Sequence, residues 1–222
     1  MKICVIIPAY NESKAIGGLV RAIKTQVPDI IVIDDGSTDR TAEFAREAGA
    51  TVISFKTNMG KGKALQDGFD YACGNNYDAV ITADADGQHS PDDISGIMQG
   101  VNYPQTGIVV GNRMLAPRDM PPLRFITNLF MSLILSIICG QNIPDTQCGF
   151  RLIKCEVLRK IRLVSLNYEI ESEMLIKASR LGYKIVSVPV KSVYEGQASL
   201  INPFADTWRF LVLLVRVIFT RG

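Results

Sequence analysis

A chain of 222 residues with 47% apolar content is long enough for one sizeable core and short for two. Lys and Arg number 24 against 22 Asp and Glu, so a net charge of +2 excludes a general electrostatic pull on nucleic acid. The five cysteines (Cys4, Cys73, Cys139, Cys148, Cys155) form an odd set with no C-x-x-C pair, and the polar Asn11-Glu12 arrives too early for a secretory leader. Reduced thiols and a cytoplasmic chain are therefore expected. His89 is the only histidine, which excludes a multi-histidine metal site and Ser-His machinery elsewhere.

In chain order, Lys2 to Ala9 reads as a buried strand closed by Pro8, and Glu12 to Gln26 as a helix. Ile30 to Ile33 is a short strand, Asp39 to Ala48 a helix opened by Ser37-Thr38-Asp39, and Thr51 to Phe55 a β-branched strand. Lys63 to Cys73 is helical, Ala79 to Ala83 a strand, Asp92 to Val101 a helix, and Ile108 to Gly111 a strand. This alternation predicts an α/β fold with a mostly parallel sheet flanked by helices, and ligands beyond the carboxyl ends of its strands. After Asn112 a proline-rich loop leads to an uncharged stretch from Phe125 to Pro144, with Leu129 to Cys139 as its apolar heart, too short to span a bilayer comfortably. A helix from Ile170 to Leu181 and a strand from Lys184 to Val190 follow. The closing segment from Trp208 to Phe219 is apolar around most of a helix, with Arg209 and Arg216 on one face, as an interfacial helix would be.

Candidate chemistry gathers at the strand ends. Ile81-Thr82-Ala83-Asp84-Ala85-Asp86-Gly87-Gln88-His89 is an apolar run ending in two carboxylates one residue apart. Asp84, Asp86 and Gln88 offer only oxygen ligands, which suits Mg²⁺ or Mn²⁺ bridging to a phosphate and not zinc. Asp34-Asp35-Gly36-Ser37 closes another strand; a carboxylate there can accept from a nucleotide base, or serve an Asx turn and helix cap. Gly60-Lys61-Gly62-Lys63-Ala64 is not a P-loop, lacking glycine at Thr57 and Ser or Thr at Ala64. It opens either a helix whose N-terminus faces an anion, with Lys63 nearby, or a plain tight turn.

Ile7-Pro8-Ala9-Tyr10-Asn11-Glu12, Asp34 to Asp39, Gly60-Lys61-Gly62 and Asp84 to His89, in that order, resemble the signature of family 2 glycosyltransferases with the GT-A fold. Gly111-Asn112-Arg113, Asp145 to Arg151 and Tyr168 to Glu171 resemble the polyprenyl-phosphate branch, typified by dolichyl-phosphate mannosyltransferase. The resemblance implies a nucleoside pocket lined by Pro8, Tyr10, Glu12 and Asp35, metal and diphosphate held by Asp84, Asp86 and Gln88, and Arg113 facing phosphate. Where the family has Ser-Lys or Ser-His near its final loop this chain has Ser199-Leu200, so Lys191, Arg124 or Arg151 is expected to supply the acceptor-phosphate cation. Arg151 is otherwise expected to be a structural partner of Asp145. For a hydroxyl acceptor, Asp145 is the candidate general base.

The expectation is thus a metal-dependent, inverting transferase moving a hexose from a GDP- or UDP-sugar to a polyprenyl phosphate, peripheral on the cytoplasmic membrane face. Residues 1–202 would form the catalytic domain and 203–222 a membrane-associating amphipathic helix, with a small membrane subunit as a candidate partner. The competing readings are transfer to a polysaccharide or protein hydroxyl, and a catalytically silent nucleotide-sugar-binding subunit.

Overall fold

The computed structural model describes residues 1–87, 90–115, 120–191, 209–210 and 212–215. Seven strands form one mixed sheet: β1 (Ile3–Ala9), β2 (Ile30–Asp34), β3 (Thr51–Ser54), β4 (Ala79–Thr82), β5 (Thr106–Asn112), β6 (Arg151–Lys154) and β7 (Lys184–Pro189), in the order β3-β2-β1-β4-β6-β5-β7. The helices are α1 (Ile16–Lys24), α2 (Thr41–Glu47), α3 (Lys61–Gly74), α4 (Ile94–Gly100, after a 3₁₀ turn at Pro91–Asp93), α5 (Pro122–Cys139), α6 (Cys155–Leu158) and α7 (Ile170–Arg180). The central strands read as unbroken apolar runs because both faces are covered, and Val5, Ile6, Ile7, Val32, Ile33, Val80 and Ile81 are all fully buried.

The parallel half follows the sequence pattern. Val5 aligns with Ile30 and Ala9 with Asp34 across β1 and β2, and Ile3 aligns with Ala79 across β1 and β4. Helix α1 begins at Ile16, four residues later than expected. Asn11 takes a positive φ of 56°, and the Asn11, Glu12 and Ser13 amides donate to Ser37 Oγ, Thr41 Oγ1 and Asp39 rather than to a helix.

The second half departs from the simple alternation. Strand β6, which the sequence reading lacked, enters antiparallel to both β4 and β5, pairing Thr82 with Arg151 and Ile108 with Ile153. Its signal is weak because only four residues follow Gly149-Phe150 before α6 starts. Helix α5 extends well beyond the apolar heart at Leu129 to Cys139: Pro122 starts it, and Gly140 ends it in the left-handed conformation at φ 62°. Of the expected C-terminal helix, residues 209–210 and 212–215 are described and helical. Phe210 and Leu213 pack into the core cluster, while Val212 and Val215 are exposed. The rest of the 203–222 segment lies outside the described residues.

Candidate active site

Strands β2, β1 and β4 are neighbours in the sheet, so their carboxyl ends carry Asp34-Asp35, Tyr10 and Asp84 to a common edge. One cavity there is lined by Pro8, Lys61, Thr82, Asp84, Gly149 and Glu171. Lys61 Nζ donates to Asp84 Oδ1 at 2.6 Å and to Glu171 Oε1 at 2.7 Å, and stands 5.3 Å from the Tyr168 ring. Burial alone would favour the neutral amine; the two carboxylates reverse that and hold its pKa well above the ordinary range. Gly149 leaves space for the Asp84 carboxylate: a Cβ at that position would stand 2.4 Å from Asp84 Oδ2.

Lys61, and not Lys63, is therefore the lysine that enters the site. Helix α3 starts at Lys61, and two residues along a helix turn a side chain by about 200°, which takes Lys63 to the outside, where it pairs with Asp67. The first amides of α3 already have partners within the chain. The Gly62 and Lys63 amides donate to the Leu166 carbonyl, and Gly62 is obligatory because a Cβ would come within 2.5 Å of the Ser165 oxygen. Asp35 is buried, and its two oxygens accept from the Met59 and Gly60 amides at 2.6 and 2.9 Å. Burial pushes its pKa up against the pull of those amides. It thus fixes the turn that presents Lys61. Tyr10 is exposed beside it, while Pro8 and Glu12 are half-buried.

A second cluster, between β5 and α5, is organised by buried charge. Asp145 is fully buried and receives the Arg113 amide at 3.0 Å, Arg113 Nε at 2.8 Å, Arg113 Nη2 at 2.9 Å and Asn128 Nδ2 at 2.8 Å. Burial raises its pKa, but Arg113's hydrogen bonds and charge overcome that and hold it below the usual carboxylate range. Arg151 is not the partner of Asp145, nor is it placed as a surface phosphate cation. It is 1% exposed, and its guanidinium donates to the carbonyls of Cys148, Thr146 and Glu171. Arg124 lies half-buried in the first turn of α5, and Lys191 is exposed with its amide donating to Asp93. Gln88 and His89, together with Ser199-Leu200, lie outside the described residues.

A family model described as glycosyl transferase family 2 matches residues 4–162. The chain belongs to that family. Among its relatives is UDP-N-acetylglucosamine–dolichyl-phosphate N-acetylglucosaminyltransferase of Methanococcus voltae, 33% identical, with 86% of each chain covered. Another is undecaprenyl-phosphate mannosyltransferase of Micrococcus luteus, 30% identical, covering 87% of this chain and 84% of the relative. Their names support the branch that the later motifs resemble. Glucosyl-3-phosphoglycerate synthase of Mycobacterium tuberculosis, solved with Mn²⁺, UDP and phosphoglyceric acid, shares the GT-A fold at a TM-score of 0.78 and 20% identity, covering all of this chain and 80% of that one.

Asp84 and Asp86 could hold a divalent cation. Asp84 sits in the recess kept open by Gly149, and Asp86 lies close enough to Glu12 that its charge, after burial, contributes to raising the Glu12 pKa. Such converging like charges are relieved by a cation, and their oxygen chemistry suits Mg²⁺ or Mn²⁺. Among the described residues no group of three or more Asp, Glu, His or Cys is placed to hold a metal ion. The sequence reading missed Lys61 as a member of this site, although the Gly-Lys-Gly motif itself was the available signal.

Proposed function

We propose that this transferase moves a hexose from a GDP- or UDP-sugar to a polyprenyl phosphate, with inversion at the anomeric carbon and with Mg²⁺ or Mn²⁺, while peripheral on the cytoplasmic face of a membrane. The observation that carries this reading is the state of Asp145. A hydroxyl acceptor requires a group to take its proton. Asp145, the candidate base, is fully buried in the bidentate grip of Arg113, and a carboxylate held below its ordinary pKa is a weak base. A phosphate acceptor arrives already anionic and requires positioning more than deprotonation. The two relatives named for transfer to dolichyl and undecaprenyl phosphate support the same acceptor class.

Pro8, Tyr10, Glu12 and Asp35 form the nucleoside side of the donor pocket. Asp84 and Asp86, with Gln88, would hold the cation, which when bound supplies positive charge beside the leaving diphosphate. Lys61 fixes the Asp84 carboxylate in one orientation, so little reorganisation is left to the reaction itself. Arg113, oriented by Asp145, contributes positive charge on the acceptor side, and Arg124 at the head of α5 meets the acceptor phosphate. Residues 1–202 make up the catalytic unit, and the segment 203–222 adds membrane association, its described residues Phe210 and Leu213 packing into the core. The five unpaired cysteines suit a reducing compartment.

The test is a panel of nucleotide sugars with Mg²⁺ or Mn²⁺ and either undecaprenyl or dolichyl phosphate. A lipid-linked sugar formed from a GDP- or UDP-donor is expected. Transfer only to water-soluble hydroxyl acceptors, or donor binding without turnover, overturns the reading.

A further inference from the structure

Helix α5 buries polar side chains beside apolar ones, Asn128 and Ser132 with Leu135 and Cys139. Its domain-facing side carries Asn128, Ser132 and Ser136, four residues apart, and these zip the helix onto the segment 143–146. Ser136 Oγ accepts from the Ile143 amide at 3.0 Å, Ser132 Oγ from the Thr146 amide at 2.9 Å, and Asn128 Nδ2 donates to Asp145 Oδ1 at 2.8 Å. Ser132 Oγ also donates to Asn128 Oδ1, linking two rungs of the ladder. The opposite side presents Ile126, Phe130, Leu133 and Ile137, each more than half exposed. No charged residue occurs from Phe125 to Pro144.

We infer that α5 lies in the plane of a lipid surface with this outer strip among the acyl chains, and that Asn128 on its inner side is a positioning residue that orients Asp145 and, through it, Arg113. The inference rests on the polyprenyl-phosphate reading and deepens it: the helix that meets the membrane also sets the acceptor-side arginine. A second copy of the chain is a poorer occupant of the strip. Half the surface of an 18-residue helix is roughly 400 Å², about half of the ~800 Å² per partner in a standard interface. A lipid surface accepts a narrow apolar strip, with Arg124 at its end at headgroup depth. Spanning is disfavoured as well, because a helix leaving the domain would carry Asn128, Ser132 and Ser136 into hydrocarbon without their partners.

The experiment uses the full chain with two acceptors: undecaprenyl phosphate in phosphatidylcholine–phosphatidylglycerol vesicles, and a short water-soluble isoprenyl phosphate. Leu133→Glu is expected to lose at least tenfold in vesicle binding and in kcat/KM for the embedded acceptor, while turnover of the soluble acceptor stays within twofold. Asn128→Leu is expected to lower kcat at least tenfold on both acceptors with donor Kd unchanged, and Asn128→Gln to recover part of the loss. Should Asn128→Leu fail to fold, Ser132→Ala supplies a milder break of the same ladder, with a smaller kcat loss and unchanged donor Kd. Vesicle binding unaffected by Leu133→Glu, or kcat unaffected by a folded Asn128→Leu or Ser132→Ala, overturns the inference while leaving the transferase reading standing. Wild-type protein that transfers to neither acceptor sinks both.

Discussion

On the proposed donor side, parallel strands β2, β1 and β4 bring Asp35, Tyr10 and Asp84 to one edge, and the Asp84 side chain stays 27% exposed beside Lys61. Beyond the antiparallel β6, the proposed acceptor side hides its charges: Asp145 is fully buried, and Arg113 and Arg151 are nearly so. The same residue types thus do different work. Where carboxylates reach the rim they can take a ligand, and where they are sealed with a guanidinium they set backbone and side-chain geometry for it. A sealed pair is expected to show itself in stability, and a rim carboxylate in turnover.

The largest effect that sharpens this contrast comes from Asp145→Asn, which removes the carboxylate that grips the buried Arg113 and is expected to cost about 3–5 kcal/mol in chemical denaturation. The pH dependence carries the same sign. Asp145 titrates below its ordinary 3.8 in the fold, so its pairing is fully stabilising above that value and fades as pH falls through its lowered pKa. The Asn variant is expected to lose that acid dependence; an unchanged acid transition would break the contrast from the acceptor side. Next, Asp84→Asn is expected to lower kcat by about 10²–10³-fold with the denaturation midpoint nearly unmoved, a split read by pairing kinetics with unfolding.

Gly149→Ala tests how the two sides meet. The added methyl would press on Asp84 Oδ2, for an expected cost of about 1–3 kcal/mol and weakened Mn²⁺ binding by calorimetry. The smallest effect belongs to Lys63→Ala, about 0.3–0.5 kcal/mol for a surface pair four residues apart on a helix, with no measurable change in donor affinity. A donor-affinity loss at Lys63 as large as that at Lys61 would contradict the placement of the two lysines.

The parallel strands and the carboxylates at their ends were legible in the sequence because each strand is an apolar run punctuated by Pro8, by Asp34-Asp35 or by Asp84 to Asp86. What escaped depended on rotation and burial. Lys61 and Lys63 are two residues apart in a motif whose helix start decides which one points inward, and a two-residue error in that boundary exchanged them. Arg151 reads as a surface cation because arginine is rarely buried, and only the fold reveals three backbone carbonyls waiting for its guanidinium. Helix α5 resisted a pattern argument because its buried face mixes Asn128 and Ser132 with Leu135 and Cys139 while Ile126, Phe130, Leu133 and Ile137 are exposed, so apolar character alone does not orient it.

The central claim is that an acceptor phosphate attacks the anomeric carbon with inversion and expels the nucleoside diphosphate, and the linkage of the product tests it most directly. The lipid product formed from an α-linked nucleotide sugar and undecaprenyl phosphate is examined by ³¹P–¹H correlated NMR. The account predicts a phosphodiester to the anomeric carbon, with the anomeric configuration opposite to that of the donor. Retention of configuration, or a sugar joined through a hydroxyl and not through phosphate, would contradict it.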